Sequence, residues 1–417
     1  MNNNKQEKFD VAVIGGGPAG MMAAGKAAES GAKVVLIEKN SSLGRKLLIT
    51  GKGRCNLTQA EFDDKEIIKK FGKNGKFLFS SLAAFGPEEI IKFFEEKGVA
   101  TNIERGGRVF PASNKAQDVL RVLQKYLDQG GVRVVYDAQI IGLEKIGAKI
   151  NSVKLKDRDI LADKFILATG GKSYPATGST GDGYAWIEDL GHKVISPAPA
   201  LVPIKAKEIW VKDVQGLSLK NIEINLIQNG KKQDARFGEM LFTHFGLSGP
   251  IVLDLSKRVG ELLLQREVIM SIDLKPALDH EQLDARLQRD FKENSNKDFI
   301  NYLPELLPQK MIATIVSLSG IDPRKKINFV TKDERKLLVD LLKGLRLTAE
   351  GTTGYNQAIV TSGGVDIREV DSKTMRSRII ENLFFAGEIL DLDGPTGGYN
   401  LQVCWSTGYA AGVYCVQ

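Results

Sequence analysis

Cysteine is scarce in this chain of 417 residues, at three, and histidine equally so. Cys55, Cys404 and Cys415 are too few and too scattered for a disulfide framework or a zinc knuckle, and no metal site is expected. No apolar run approaches the ~18 residues that span a bilayer. The polar start, Met1 to Lys8, lacks the apolar core of a signal peptide. Together these absences predict a cytoplasmic chain with reduced thiols and no membrane partner. Repeats and low-complexity tracts are also missing. Hydrophobic residues at 42% and charged residues at 26% exclude wholesale disorder, and the length suits two or three domains. No feature specifies an oligomeric state.

Charge of one sign is only mildly in excess. Lys plus Arg number 58 against 51 Asp plus Glu, a formal net charge of +7. The excess concentrates between Arg45 and Lys76. A polyanionic partner, a phosphate-bearing cofactor or a solvated surface each accounts for it. No nucleic-acid-binding motif accompanies the charge, so nucleic acid is not the expected partner.

What the chain has in plenty is glycine, 43 residues in clusters. Phe9 to Ile14 is a short apolar run of the kind buried in a parallel sheet. It leads into Gly15-Gly16-Gly17-Pro18-Ala19-Gly20, an Ala-rich helix from Met21 to about Ser30, and a second strand from Lys33 to Glu38. Gly15, Gly17 and Gly20 spell G-x-G-x-x-G in its proper setting. The first glycine permits the tight turn, the second lets a pyrophosphate touch backbone, and the third lets helix and strand pack closely. The helix N-terminus favours the phosphates, and Glu38 is placed to hold the adenosine ribose hydroxyls. An acid there, in place of an arginine, argues against a 2′-phosphate.

A second glycine-rich unit lies at the far end. Glu381 to Ala386 reads as a buried strand running into Gly387-Glu388, and Gly394 to Gln402 opens a helix of small residues. A strand-end acid suits a ribityl hydroxyl. A helix N-terminus aimed at an isoalloxazine edge would stabilise the charge that develops there on reduction. A nicotinamide enzyme needs no such second unit, so FAD is the expected cofactor. A glycine-laced core helix is the structural alternative.

Between the two, a helical region is expected from Asp63 to Lys97, with strands at Val132–Tyr136 and Lys164–Ala168. Texture changes near Ser196, where prolines cluster. The alternation Ile222-Glu223-Ile224-Asn225-Leu226-Ile227 then predicts antiparallel strands. Asp279 to Leu318 is charged and helical, and strand returns near Ala358 to Val365.

Several further blocks carry a family resemblance: Gly44-Arg45-Lys46 with Thr50-Gly51-Lys52-Gly53-Arg54-Cys55-Asn56, Ala168-Thr169-Gly170-Gly171, Phe242 to Pro250, Thr361 to Val365, and Gly387-Glu388 with Gly397 to Gln402. With the first glycine turn, they make the chain similar to bacterial NAD(P)/FAD-dependent oxidoreductases of the aminoacetone-oxidase-like and bile-acid-reductase-like type, from residue 11 to residue 412. The fold expected is α/β. A Rossmann-like, glutathione-reductase-like FAD-binding domain (1–195 and 361–417) is split around a β-barrel-like domain (196–360) with a helical insertion at about 277–325.

The resemblance also implies which residues line FAD. They are Gly15, Gly17, Pro18, Ala19, Gly20, Glu38, Lys39, Lys46, Gly51, Gly53, Arg54, Cys55, Asn56, Thr169, Gly170, Gly171, Gly387, Glu388, Gly398, Asn400 and Leu401. Val132 to Leu143 matches a strand whose backbone near Ile140 contacts adenine. The basic loop around Lys46 and Arg54 has a solvated face as its alternative reading. Cys55 is either a plain small residue or a redox thiol, and no C-x-x-C supports the latter. His244 lies in a Gly-bounded loop and either bonds local backbone or acts as catalytic proton donor. Gly178 to Gly183 has nucleotide-loop spacing but no strand before it.

The function implied is hydride transfer between flavin N5 and a small organic substrate at the interdomain cleft, with NAD(P)H a transient reductant. The alternative is an FAD-containing tRNA or other RNA modification factor.

Overall fold

The computed structural model describes residues 7–417. It forms two compact units, one running up to Pro199 and resuming over Ala358–Gln417, the other Ala200–Gln357. In the first, β1 (Lys8–Ile14) passes through the glycine turn into α1 (Pro18–Glu29), and β2 (Val34–Ile37) lies parallel to β1. Val11 to Ile14 and Val34 to Ile37 are all buried, as strands covered on both faces require. The helix begins at Pro18, ahead of the expected Met21, because the fixed φ of proline suits a first helical position.

After α2 (Arg45–Ile49) and β3 (Thr58–Gln59), the expected helical region breaks up. It consists of α3 (Asp64–Lys70), a 3-10 segment over Gly72–Leu78, α4 (Phe79–Ala84) and α5 (Pro87–Glu96). Gly75 accounts for the break. A Cβ there would stand 2.0 Å from the Ile68 carbonyl oxygen, so the chain folds back on α3 at a distance only glycine allows.

A small antiparallel sheet joins β3 to β4 (Thr101–Glu104) and β5 (Arg108–Pro111), and α6 (Ala116–Gln129) leads to β6 (Arg133–Val135), parallel to β2. Asp137, with φ of 52°, then stops the strand. The stretch expected as one strand to Leu143 is therefore two, and Ile140 opens the second. β7 (Ile140–Ile146), β8 (Lys149–Leu155) and β9 (Asp159–Leu167) complete the order β6-β2-β1-β9-β8-β7. The unit's first half ends with α7 (Asp182–Asp189) and β10 (Val194–Ala200).

The second unit is a closed barrel of β11 (Ile204–Ala206), β12 (Ser218–Gln228), β13 (Lys231–Thr243), β14 (Gly246–Ser248), β15 (Val268–Asp273) and β16 (Leu345–Thr352), with α8 (Pro250–Leu263) packed on it. Ile222, Ile224 and Leu226 are buried on one face of β12, the period-two pattern read from sequence. Between β15 and β16 lie α9 (His280–Glu293), α10 (Phe299–Tyr302), α11 (Ile312–Ser319) and α12 (Lys332–Lys343). Helix thus runs beyond the expected end near 325. The capping box at Thr331 and Glu334 nucleates the extra helix.

Back in the first unit, β17 (Val360–Val365) pairs with β10, and β18 (Leu383–Phe385) adds to the main sheet parallel to β9. The last helix, α13 (Tyr399–Tyr414), lies against α1. A Cβ on Gly408 or Gly412 would sit 2.6 Å from the carbonyl oxygen of Ala19 or Ala23 respectively, so small residues let the two backbones touch. The matching order of those pairs makes the helices parallel. Counting from them, α13 begins about eight residues, or ~12 Å, before the level at which α1 begins.

His192 is a buried tie in this unit. Its Nδ1 lies 3.0 Å from Glu369 Oε2 and its Nε2 2.8 Å from Ser377 Oγ. The order Ser–His–Glu resembles a nucleophile triad, but Ser377 Oγ also accepts the Ile379 and Ile380 amides and both residues are buried. It is a structural staple. Burial lowers the imidazole's pKa below its ordinary 6.5, against the opposing pull of Glu369. The unfolded chain therefore binds this proton more readily than the folded one. The contribution is complete above pH 6.5 and is lost as pH falls through the folded value. Urea unfolding across pH 5 to 7 should show a stability slope that is flatter in His192→Gln than in the parent. Equal slopes would assign the pH dependence elsewhere.

Candidate functional site

Four parallel strands, β1, β2, β9 and β18, end on one edge of the sheet, and each feeds a residue expected at the cofactor. Such edges are where open α/β sheets bind ligands. Gly15, with φ of 108°, follows β1. A Cβ on it would meet the Ala168 carbonyl oxygen at 2.4 Å, at the end of β9. Gly20 would meet the Gly15 oxygen at 1.8 Å. Gly17 differs: nothing lies within 4 Å of its absent side chain. It precedes α1 and supplies no side-chain cap, Pro18 has no N–H, and the Met21 N–H donates to the Gly17 carbonyl, so the Ala19 and Gly20 amides keep their capacity for an anion. The first and third glycines serve packing, and the second leaves space.

Glu38, 7% exposed at the end of β2, fastens this turn. Its Oε2 accepts the Gly16 N–H at 2.7 Å, and its Oε1 accepts the Asn40 N–H at 2.7 Å and Nδ2 at 2.6 Å. A carboxylate has about four acceptor positions, so room for a hydroxyl remains. Ile140 lies just beyond Ala138, whose N–H donates to the Glu38 carbonyl. Lys39 is turned to Thr180 and to Asp182 Oδ2, 2.7 Å away.

Lys46 and Glu388, each expected against the cofactor, meet one another. Lys46 Nζ lies 2.6 Å from Glu388 Oε2 and also donates to Ser173 Oγ, while Glu388 Oε1 accepts from Ser173 Oγ and the Thr361 N–H. The mostly buried cluster ties α2 to the loops after β9 and β18. Gly171 is part of it, since a Cβ there would stand 2.3 Å from Thr361 Oγ1. Arg54 stacks 3.9 Å from the Phe110 ring centroid and is held by Asn114 and Glu104.

The Thr50–Asn56 loop is wound through left-handed conformations at Gly51, Lys52, Gly53 and Cys55. Cys55 is fully buried, and burial pushes its thiol up to about 12. Cys404 and Cys415 are pushed up to about 12 for the same reason, so all three keep their protons at neutral pH. Two side-chain oxygens among the residues expected at the cofactor are left wanting. Asn56 Oδ1 and Thr169 Oγ1 are shut off from solvent without a hydrogen-bond partner. An orphaned buried polar atom costs about 1–3 kcal/mol, so a bound donor or acceptor is the natural complement. Gly170, beside Thr169, is again left-handed at 71°.

At α13, Gly398 has a φ of 107° and no room for a Cβ, which would strike Thr58. It gives the helix no side-chain cap. Asn400 bonds the Gly394 N–H, the Gly394 carbonyl and the Pro395 carbonyl, setting the preceding turn, while Leu401 is half-buried. The Gly387 N–H donates to Thr407 Oγ1. In the second unit, His244 is exposed at the two-residue turn between β13 and β14. Its imidazole touches Phe245 edge-on and makes no hydrogen bond among the described residues, unlike the backbone-bonding histidine considered from sequence.

Sequence reasoning did not single out Asn40, Ser173 or Thr407, which orient the site. Polar residues of this kind carry no spacing signal. Thr361 lay within a recognised block but without an assigned role.

The chain matches the model described as HI0933-like protein Rossmann domain over residues 9–414. It belongs to the HI0933-like family of FAD-dependent oxidoreductases. Among relatives, a 3-dehydro-bile acid delta(4,6)-reductase of Clostridium scindens is 32% identical over 405 residues, covering 96% of this chain and 98% of the relative. A ribosomal RNA dihydrouridine synthase of Escherichia coli is 30% identical over 97% of both chains. A flavocytochrome c3 fumarate reductase structure shares the fold, with a TM-score of 0.53 at 15% identity over 98% of this chain and 78% of that one. The α/β fold with its Rossmann-type sheet and separate barrel is thus that of the HI0933-like family. No helix among the described residues is long and apolar enough to cross a membrane.

Proposed function

We propose that this HI0933-like protein uses FAD to saturate a carbon–carbon double bond conjugated to a carbonyl. The observation that carries this reading is what the two relatives' names have in common. A delta(4,6)-reductase of a 3-dehydro bile acid and a dihydrouridine synthase both add two hydrogens across such a bond. When bound, FAD supplies the hydride at N5, and NAD(P)H is the proposed source of electrons.

The chain's own residues do the rest. The amides after Gly17 hold the pyrophosphate, and Glu38 holds the adenosine ribose with Ile140 near the adenine. Asn56, Thr169, Gly170 and the Thr50–Asn56 loop satisfy polar groups along the dinucleotide, with the Lys46–Glu388 pair beside them. The uncapped start of α13 stabilises negative charge at the flavin edge. His244 donates a proton to the carbon next to the carbonyl.

Two substrate classes fit the reaction, a small unsaturated ketone and a uracil base in RNA. The second is favoured by unpaired lysines at one rim of the first unit. In an anaerobic assay, NADH or NADPH should bleach the yellow protein. Adding a conjugated steroid ketone or a ribosomal RNA fragment should restore the colour and leave a product heavier by two hydrogens. Recovery of colour with oxygen alone, and with neither acceptor, would refute the reading.

A further inference from the structure

The basic stretch that precedes Lys76 is only partly used by the site. Lys46 and Arg54 are committed to Glu388 and Glu104, and Arg45 to Ser41 and Ser42. From Lys65 to Lys76 the chain has five lysines against one glutamate, and so carries four of its seven net positive charges. Only Lys69 is paired, with Glu66. Lys65, Lys70, Lys73 and Lys76 are exposed, and their ammonium groups have no carboxylate or hydrogen-bond partner among the described residues, the one bond from Lys65 to Asp63 being made by its backbone N–H. On either side stand two exposed aromatic rings, Phe62 at 51% and Phe79 at 54%.

This segment is fastened to the turn that begins α13. Asn74 Nδ2 donates to the Asp391 carbonyl at 2.8 Å and to Asp391 Oδ2 at 2.9 Å. The Phe71 ring packs edge-on to Tyr399, and a Cβ on Gly394 would meet it at 2.7 Å. Unpaired positive charge therefore borders the glycine turn assigned above to the flavin edge.

We propose that the face formed by α3 and the following 3-10 segment receives the phosphate backbone of an RNA strand whose base is reduced at that turn. The lysines neutralise phosphates, and Phe62 and Phe79 offer stacking surfaces for flanking bases. This rests on the uracil reading of the substrate. An unsaturated ketone of small size has no use for a row of unpaired cations beside the reacting end.

The test compares two fourfold variants of the full-length, FAD-loaded protein. One carries Lys65→Gln, Lys70→Gln, Lys73→Gln and Lys76→Gln. The other removes the same charge at exposed lysines elsewhere, Lys145, Lys156, Lys231 and Lys336, each changed to Gln. Binding of a fluorescein-labelled ribosomal RNA hairpin is titrated at several salt concentrations, with flavin absorbance as the check on folding. The first variant should bind roughly tenfold or more weakly, and its log–log salt slope should flatten by about 3, at ~0.7 per lost phosphate contact. The control should stay close to the parent.

Equal losses in both variants would reduce the effect to net charge and overturn the proposal. So would unchanged binding in the first variant, or binding to phosphatidylglycerol vesicles in preference to RNA. Absence of RNA binding in the parent would also overturn it, while turnover of a steroid ketone would leave the reductase reading standing.

Discussion

Replacing Gly17 with valine is expected to give a colourless protein with an intact fold. The backbone at Gly17 has φ of −80° and ψ of −176°, extended values that valine adopts readily. No atom stands within 4 Å of the position its Cβ would take, so the protein itself offers no clash. That open volume lies in front of the uncapped amides of α1, where a pyrophosphate has to approach backbone. A branched side chain would fill it. The purified variant should lack the flavin absorption of the parent and should not regain it when incubated with FAD, while its thermal unfolding stays close to that of the parent freed of cofactor.

Gly20→Val is the contrasting case. Its Cβ would lie 1.8 Å from the Gly15 carbonyl oxygen, so the strand–helix turn itself should fail and little folded protein should be recovered. The parent should release FAD, and not FMN, on denaturation, because the Gly17 turn and Glu38 are there for the adenosine half. A yellow Gly17→Val protein of normal stability would show that the open volume is not where the phosphates lie.

The glycine turn was legible because each of its residues answers a local demand: a positive φ at Gly15, a close approach at Gly20, an empty volume at Gly17. Glu38 was legible because one acid at the end of a second strand is a positional signal. Sequence said nothing of what else Glu38 does. Its bonds to Gly16 and Asn40 depend on how the strand end meets the turn, a matter of tertiary geometry. The same holds for Lys46 and Glu388, which are 342 residues apart and pair only because α2 and the loop after β18 reach the same sheet edge. The break at Gly75 and the left-handed Asp137 were missed for a related reason. Hydrophobic periodicity reports which face is buried, and carries little about where a chain must fold back on itself.

His244→Asn should lower turnover by roughly 10²–10⁴-fold, the usual contribution of a positioned acid or base, and leave flavin content and melting temperature nearly unchanged. The second half of that expectation follows from the hairpin. Gly246, with φ of 153°, lets β14 lie flush on β11, since a Cβ there would meet the Ile204 carbonyl oxygen at 2.2 Å. The Phe245 carbonyl accepts the Ala206 N–H, which fixes the turn from its other side. The turn is therefore held by its neighbours, and the exposed imidazole itself holds nothing. An exposed side chain with no bond to its own protein contributes little to stability, so asparagine costs little there.

Turnover is followed by reoxidation of the bleached flavin on addition of a conjugated ketone or an RNA fragment, in the parent and in the asparagine variant side by side. If a well-folded, fully flavinated His244→Asn protein turns over at the parental rate, the proton comes from another group or from water, and His244 leaves the mechanism.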